Sequence, residues 1–542
     1  MFKGSINKIT LSSSSFEKII SDGAFFVDKT KMIERFLNEQ SEVQLIARQR
    51  RMGKSLNMDM LRCFLTNKED LRHLFKDLYI ESSQVWESAN SSPVFYFDFK
   101  GLRLDTYKKK IYDKVCDYID SYCSNVDLPR AIKRYLTNDS FNDTDGLRHL
   151  TEAVFRATGK RSYILIDEYD KLLMDYHSSE LYEEIRDFET AFLSEGLKGN
   201  VYLEKALLTG VMRISHESMF SGLNNIVTYD VFNDKLYTDD YGLTDEEVTE
   251  LSKLSDFDIN ELRDWYNGIR IGGSAVYNIY STMSYLTHGE YECFWGKTGT
   301  LDTIIDLMND EQKLAIAELL NGNCVEVNID SRVSLRQLSR ETGNKAFYSL
   351  LVQGGYLAIV ENRQNKGKAV VSIPNKELQI VWRDFILDHL YNTSKRVQTL
   401  FDNFNNLTAF SKDIEYFLGE RLSYYDLSVY GDDEKAKTYE RVYHIFLLGI
   451  LSAYEDIRFS YALSNRESGD GRYDIFVEKS EAYFIFEVKS CVEGDDLNIA
   501  AGKALAQIET MRYGAELKKN KPLIKIGVAV YGKRCKVKCG KK

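Results

Sequence analysis

The sequence predicts a mixed α/β chain made of two separate α/β units with a largely helical stretch between them. Three observations carry this. Short apolar runs at 43–47, 94–99, 163–166 and 201–208 alternate with helical patterns, as in a parallel sheet covered by helices. A second, compact order of helix, three strands, helix and strand begins near residue 436. Only four Pro interrupt 542 residues, so rigid linkers are few.

At about 100–200 residues per domain, the length asks for three or four domains. Hydrophobic residues at 44% and charged residues at 28% exclude a disordered or collagen-like chain and a membrane bundle. No run of eighteen apolar residues is present and the first residues lack an apolar leader, so no membrane partner and a cytoplasmic location are expected. The eight Cys show no C-x2-C pairing, which fits a reducing compartment, and Cys535 with Cys539 reads as two free thiols rather than a metal site.

The formal net charge is −11, which taken whole speaks against nucleic acid. The average conceals a polarity. Residues 503–542 hold twelve Lys or Arg against two Asp or Glu, a local balance of +10 that leaves the other 502 residues near −21. Lys518, Lys519, Lys521, Lys533, Arg534, Lys536 and Lys538 are therefore candidates for nucleic-acid backbone contacts, a solvated basic tail being the alternative.

At 48–55 the chain leaves an apolar strand as Arg-Gln-Arg-Arg-Met-Gly-Lys-Ser and enters a helix at Leu56, the layout of a phosphate-binding loop. Backbone N–H groups and Gly53 would enclose phosphates, Lys54 would reach the β- and γ-phosphates, and the Ser55 hydroxyl would ligate Mg²⁺. The usual loop opens with Gly where this one has Arg48. Residues 162–170, Ser-Tyr-Ile-Leu-Ile-Asp-Glu-Tyr-Asp, form an apolar strand ending in carboxylates, with Asp167 suited to coordinate Mg²⁺ and Glu168 to activate water. A further strand at 94–99 lies between the two motifs, as in additional-strand ATPases. Thr209 then falls where a polar sensor of the γ-phosphate would sit, and Arg213 could reach phosphate charge; a strand end and a surface arginine are the alternative for these two.

Those segments, together with Phe26-Val27-Asp28-Lys29-Thr30, Phe220 through Asn225, and Trp265-Tyr266-Asn267-Gly268, resemble the bacterial AAA-ATPase-like family over about residues 3–300. In that family an Arg-rich turn replaces the opening Gly, so the resemblance implies nucleotide contacts from Arg48, Arg51, Gly53, Lys54, Ser55 and Leu56.

In the C-terminal unit, Asp474 and the Glu487-Val488-Lys489 run stand on adjacent apolar strands. Alternation puts Glu487 and Lys489 on one face. Asp474 and Glu487 can share a hard cation, Lys489 can orient water or stabilise a phosphorane-like transition state, and Glu440 could join the metal shell. His444 reads as a packed helix residue. This D…ExK pattern, with its element order, resembles the PD-(D/E)XK nuclease superfamily over about 436–532, which also assigns places to Gln507 and Tyr513.

The expectation is thus a P-loop NTPase of AAA/ASCE type at 1–235, a helical lid-like region at 236–325, a winged-helix-like and helical connector at 326–435, and a restriction-endonuclease-like α/β domain at 436–542. The expected function is an ATPase using ATP and Mg²⁺ coupled to a Mg²⁺-dependent DNA endonuclease. The alternative is a nucleotide switch whose nuclease-like domain only binds nucleic acid. Homo-oligomers are compatible with both.

Overall fold

The computed structural model describes the chain except residues 138–140, 178, 213–224, 296–309, 321, 332, 334–342, 364–366, 392–403, 422–442, 444–446, 448–461, 465–466, 470, 480, 516, 518–519, 533 and 542. Two compact units result: 1–304 with 326–378, and 305–325 with 379–542. The first unit is therefore discontinuous in sequence, and it draws residues 326–378 away from the connector to which the sequence assigned them.

The first unit is built on five strands, β1 (Val43–Ala47), β2 (Val94–Asp98), β3 (Ser162–Asp167), β4 (Leu203–Gly210) and β5 (Ile226–Tyr229). All pair in parallel, in the order β2-β3-β4-β1-β5. The phosphate-loop strand and the acidic strand are thus separated in space by β4, which carries Thr209 opposite Ile46. Strand residues alternate between two cores because successive side chains leave opposite faces of the sheet. Ile164, Ile166 and Leu208 pack with Val115, Leu147 and Phe192 of the helices Tyr107–Cys123, Gly146–Thr158 and Tyr182–Leu197. Tyr163, Leu165 and Leu207 pack on the other side with Met32, Phe36, Leu61 and Phe64 from Lys31–Asn38 and Lys54–Leu65. With both faces covered, the strands read as the continuous apolar runs seen in the sequence.

The Phe26–Val27 strand leads into a brace. Lys29 donates to both carboxylate oxygens of Glu247 at 2.7 Å, inside a capping box in which Thr244 accepts from the Glu247 N–H. Asp28 accepts from Thr30 and from the Tyr79 N–H. The unit also has the helices Ile259–Tyr266 and Ile279–His288, a short hairpin of Ile269–Ile271 with Ser274–Val276, and then Gly343–Gly354 followed by an antiparallel hairpin, Ala358–Arg363 with Lys368–Ser372, whose second strand also neighbours Val325–Asn328. That helix and hairpin occupy the segment expected to be winged-helix-like.

The second unit holds β6 (Ala462–Ser464), β7 (Ile475–Glu478), β8 (Tyr483–Ser490), β9 (Leu523–Tyr531) and β10 (Arg534–Lys541), paired in that order. Only β8 and β9 are parallel, and the helix Leu497–Thr510 makes the crossover that a parallel pair requires. Asp496 caps that helix by accepting from Asn498 and Ile499. The helix expected before β6 lies outside the described residues apart from Tyr443 and Leu447. β10 was not foreseen. It pairs with β9 along its whole length, so residues 534–541 are an edge strand and not a solvated tail.

Candidate functional site

The turn after β1 curls because two of its residues take left-handed backbone conformations, Arg51 at φ 63° and Gly53 at φ 85°. Gly is the residue that adopts such a φ without strain, and Gly53 sits directly before the helix Lys54–Leu65. The helix N-terminus therefore opens onto a cavity of about 480 Å³ lined by Gly53, Lys54, Ser55, Leu56, Arg50 and Arg51 on one side and by Lys100, Glu168, Asp170 and Lys171 on another. Aligned N–H groups at such a terminus favour an anion.

Lys54 is buried and donates to the carbonyls of Arg48 at 2.9 Å and Gln49 at 2.7 Å. Burial lowers its pKa to about 8, against the opposing charges of Asp167, Asp170 and Glu168. Ser55 lies partly exposed on the cavity wall. Arg51 points across the cavity mouth: its guanidinium donates to the Phe294 carbonyl and lies 4.2 Å from the centre of the Tyr280 ring. The Trp295 N–H, next along, donates at 2.7 Å to Glu377, which also accepts from Ser281 at 2.9 Å.

Arg48 is elsewhere. Its side chain is wholly buried, paired with Asp234, and donates to the carbonyls of Ala47 at 2.8 Å and Tyr229 at 3.0 Å. The guanidinium expected at the nucleotide instead ties the loop to β5 and the turn beyond it. Gln49 is also turned under the loop, so close to Gly355 that a Cβ there would fall 2.3 Å from its Cγ.

Beside Glu168, Asp167 is buried and does not line the cavity, contrary to the expectation for a Mg²⁺ ligand, and it is held from three directions. Thr209 donates to Oδ1, as does the Glu168 N–H at 3.0 Å, and Tyr96 donates to Oδ2 at 3.3 Å. Thr209 is fully buried beneath Asp167 and does not line the cavity. Glu168 does line it, from a left-handed backbone at φ 51°, and burial together with Asp167 raises its pKa. Asp170, which the sequence reading left unassigned, accepts the Val211 and Met212 N–H groups at 2.8 Å each and so fixes the end of β4 beside the acidic strand. Lys100 was likewise missed; it follows the expected strand at 94–99 but carries no motif of its own. Arg213 and residues 220–224 lie outside the described residues.

In the second unit Asp474 and Glu487 meet at adjoining ends of β7 and β8. Asp474 accepts the Val488 N–H at 2.7 Å. Glu487, 3% exposed, accepts from Gln507 and lies 3.2 Å from the Lys489 ammonium. Gln507 is thus at the carboxylates, whereas Tyr513 packs into the core with Tyr473 and Ile508. Glu440 and His444 lie outside the described residues, and among the described residues no third acidic or histidine side chain completes a metal cluster. Two carboxylates with a lysine are nonetheless the hard oxygen donors and local cation that a divalent ion at a phosphate needs.

The register carries this site toward the sheet edge. Glu487 pairs with Gly527 and Gly527 with Lys538; Lys489 pairs with Ala529 and Ala529 with Lys536. Residues opposite one another share a face, so Lys536 and Lys538 stand in the same cross-strand rows as the site. Lys536 is bound to Glu415 at 3.0 Å, and Lys521 to Glu478 at 2.9 Å. Arg534 is exposed over the Tyr531 ring. Lys518, Lys519 and Lys533 lie outside the described residues.

Comparison with known proteins bears on both sites. The family described as predicted AAA-ATPase (AAA-ATPase-like) matches residues 10–220. The PD-(D/E)XK nuclease superfamily matches residues 438–539. An uncharacterized protein in the vnfD 5′ region of Azotobacter chroococcum is 28% identical over 364 residues, covering 65% of this chain and 64% of its own length, so the match spans just under two thirds of that relative. Among solved structures, the Walker-type ATPase of Pyrococcus abyssi matches with 15% identity and a TM-score of 0.34, over 66% of this chain and 96% of the other. Among the described residues no helix is long and apolar enough to cross a membrane.

Proposed function

We propose, for a chain that carries an AAA-ATPase-like domain and a C-terminal PD-(D/E)XK nuclease superfamily domain, that the first binds and hydrolyses ATP and the second cleaves DNA under its control. The observation supporting this most is the cavity in which Gly53, Lys54 and Ser55 share a wall-to-wall space with Glu168. Its lining also carries one apolar cluster, Ile9, Leu11, Phe25, Ile279 and Met283, which suits a purine base.

In this reading Lys54 leaves the carbonyls of Arg48 and Gln49 for the β- and γ-phosphates. Ser55 and Asp167 are the oxygen donors for Mg²⁺, which when bound neutralises phosphate charge. Thr209 and Tyr96 keep the Asp167 carboxylate oriented. Glu168 takes a proton from the attacking water.

In the second unit Asp474 and Glu487 would hold a divalent ion and Lys489 would face the scissile phosphate, while Arg534 and Lys538 contact the DNA backbone. A cytoplasmic homo-oligomer fits this reading.

The test compares wild type with Lys54→Ala, Asp474→Ala and Glu487→Ala for ATP turnover and plasmid nicking with Mg²⁺. Lys54→Ala should abolish turnover, and the two carboxylate variants should abolish nicking alone. Equal nicking by all four proteins would sink the nuclease half, and unchanged ATP binding by Lys54→Ala the ATPase half.

The second reading is a nucleotide switch whose nuclease-like domain only binds nucleic acid. The link from Arg51 through Phe294 and Trp295 to Glu377 favours it, since a phosphate would compete for Arg51. Calorimetry showing ATP bound but no divalent ion at Asp474 and Glu487 would select it.

A further inference from the structure

The cations around the cavity are unequal. Lys54 is engaged by two carbonyls, Arg51 by the Phe294 carbonyl and the Tyr280 ring, and Lys171 by Asp175. Arg50 lies on the side of Lys54, close enough to repel its charge. Lys29, also on the wall, is paired with Glu247, and Arg50, like Lys100, makes no hydrogen bond or ion pair among the described residues; Lys100 differs from Arg50 in its place. It lines the cavity from the opposite side, is exposed, and among the described residues its ammonium makes no hydrogen bond or ion pair.

Its backbone is fixed nonetheless. β2 is the edge strand next to the acidic strand, with Asp98 directly opposite Asp167. The Phe99 N–H donates to the Asp167 carbonyl at 3.0 Å, the Phe99 ring is buried, and the Lys100 N–H donates to Asp98 at 2.8 Å. A flexible charged side chain on a fixed backbone therefore emerges beside Glu168, within reach of its charge. No cation of the phosphate-loop wall stands on this side, Lys171 here is engaged by Asp175, and attack by water would take place here.

We propose that Lys100 is a cation acting in cis on the γ-phosphoryl group, serving from the Glu168 side as Lys54 serves from the loop side. The proposal rests on the ATPase reading of this cavity. The water oxygen bonds to the γ-phosphorus, the bond from that phosphorus to the β–γ bridging oxygen breaks with its electron pair remaining on ADP, and one water proton passes to Glu168. Negative charge spreads over the equatorial γ-oxygens during this step, and a cation carried there on a fixed backbone meets it inside the cavity, where it is worth more than in water. Because ADP lacks those oxygens, Lys100 stabilises the transition state and contributes little to ADP binding.

The full-length protein is compared with Lys100→Ala and Lys100→Arg for ATP turnover, for binding of ADP, and for binding of ADP with aluminium fluoride. Lys100→Ala should lower kcat about 100-fold with KM changed less than about threefold. It should lose about 100-fold in affinity for ADP with aluminium fluoride while keeping its affinity for ADP. Lys100→Arg should recover most of both losses. Turnover by Lys100→Ala within about threefold of wild type, or an equal loss of affinity for ADP and for ADP with aluminium fluoride, would overturn the proposal. A wild type that binds neither ADP nor ATP would remove the ATPase reading itself, a failure the ADP measurement tells apart.

Discussion

The guanidinium of Arg48 and the carboxylate of Asp234, 186 positions apart in sequence, form an ion pair from which solvent is entirely excluded. Asp234 also accepts the Leu236 and Tyr237 N–H groups at 2.7 and 2.9 Å, and the guanidinium faces the Tyr241 ring at 5.3 Å, while its buried Nε has no hydrogen-bond partner among the described residues. Removing either partner leaves an uncompensated buried charge, which costs about 3–5 kcal/mol, whereas replacing both with apolar side chains costs far less. Arg48→Ala and Asp234→Ala should therefore each strongly destabilise the first unit, and Arg48→Met combined with Asp234→Leu should restore most of the loss. Hydrogen exchange at the β1 amides in denaturant checks this; additive losses in the double variant would contradict it.

On the proposed ATPase reading, Thr209 acts through Asp167, to which it donates. Without its hydroxyl one oxygen of a buried carboxylate loses a donor, and outer partners of a metal ligand are commonly worth about 10–100-fold in metal affinity. Thr209→Val should raise the Mg²⁺ concentration for half-maximal ATP turnover about tenfold, and Thr209→Ser should not. A Mg²⁺ titration of turnover decides between them.

Glu377 gives the first unit a pH dependence. Burial raises its pKa from 4.5 to about 7, outweighing donation from Trp295 and Ser281. The folded state then holds this proton more tightly than the unfolded state, so the contribution is whole below pH 4.5 and is lost as pH rises through 7. The loss amounts to about 3 kcal/mol at 1.36 kcal/mol per pKa unit. Thermal unfolding between pH 4.5 and 8 should show this fall in wild type and a flatter profile in Glu377→Gln.

For the second unit, Gln507→Leu should weaken divalent-ion binding about tenfold by freeing Glu487, with no change in the salt dependence of DNA binding. Arg534→Ala and Lys538→Ala should do the reverse, each reducing the slope of log affinity against log salt by about one while metal affinity stays constant. Isothermal titration with Mn²⁺ and DNA binding at several salt concentrations separate the two effects.

The parts legible in sequence were those whose chemistry sits at the end of an apolar run. The loop at 48–55, the carboxylates at 167 and 168, and the Asp474 and Glu487 pair all stand at or beside strands, where local pattern singles them out as candidates. Asp234 was invisible because its significance depends on a partner 186 residues away, and the same distance hid the fate of Arg48. Lys100 has no motif; only the parallel pairing of β2 with β3 brings it to Glu168. At the C-terminus the count of basic residues was correct but the conformation was not read. The alternation Arg534, Cys535, Lys536, Val537, Lys538, Cys539 has the period of a strand, a signal that total charge does not carry.

Gln49 lies beneath Gly355, and Gly355 has a left-handed backbone at φ 83° against which no larger residue would fit. The chain leaves the first unit after residue 304 and re-enters it at 326 to place that glycine. A gene fragment ending near codon 300 would thus encode every signature residue of the phosphate loop and still lack the surface on which the loop rests. Recombination that exchanged the N-terminal portion as a cassette would have to carry the segment through residue 378, so the heritable module is longer than the motif by which it is recognised.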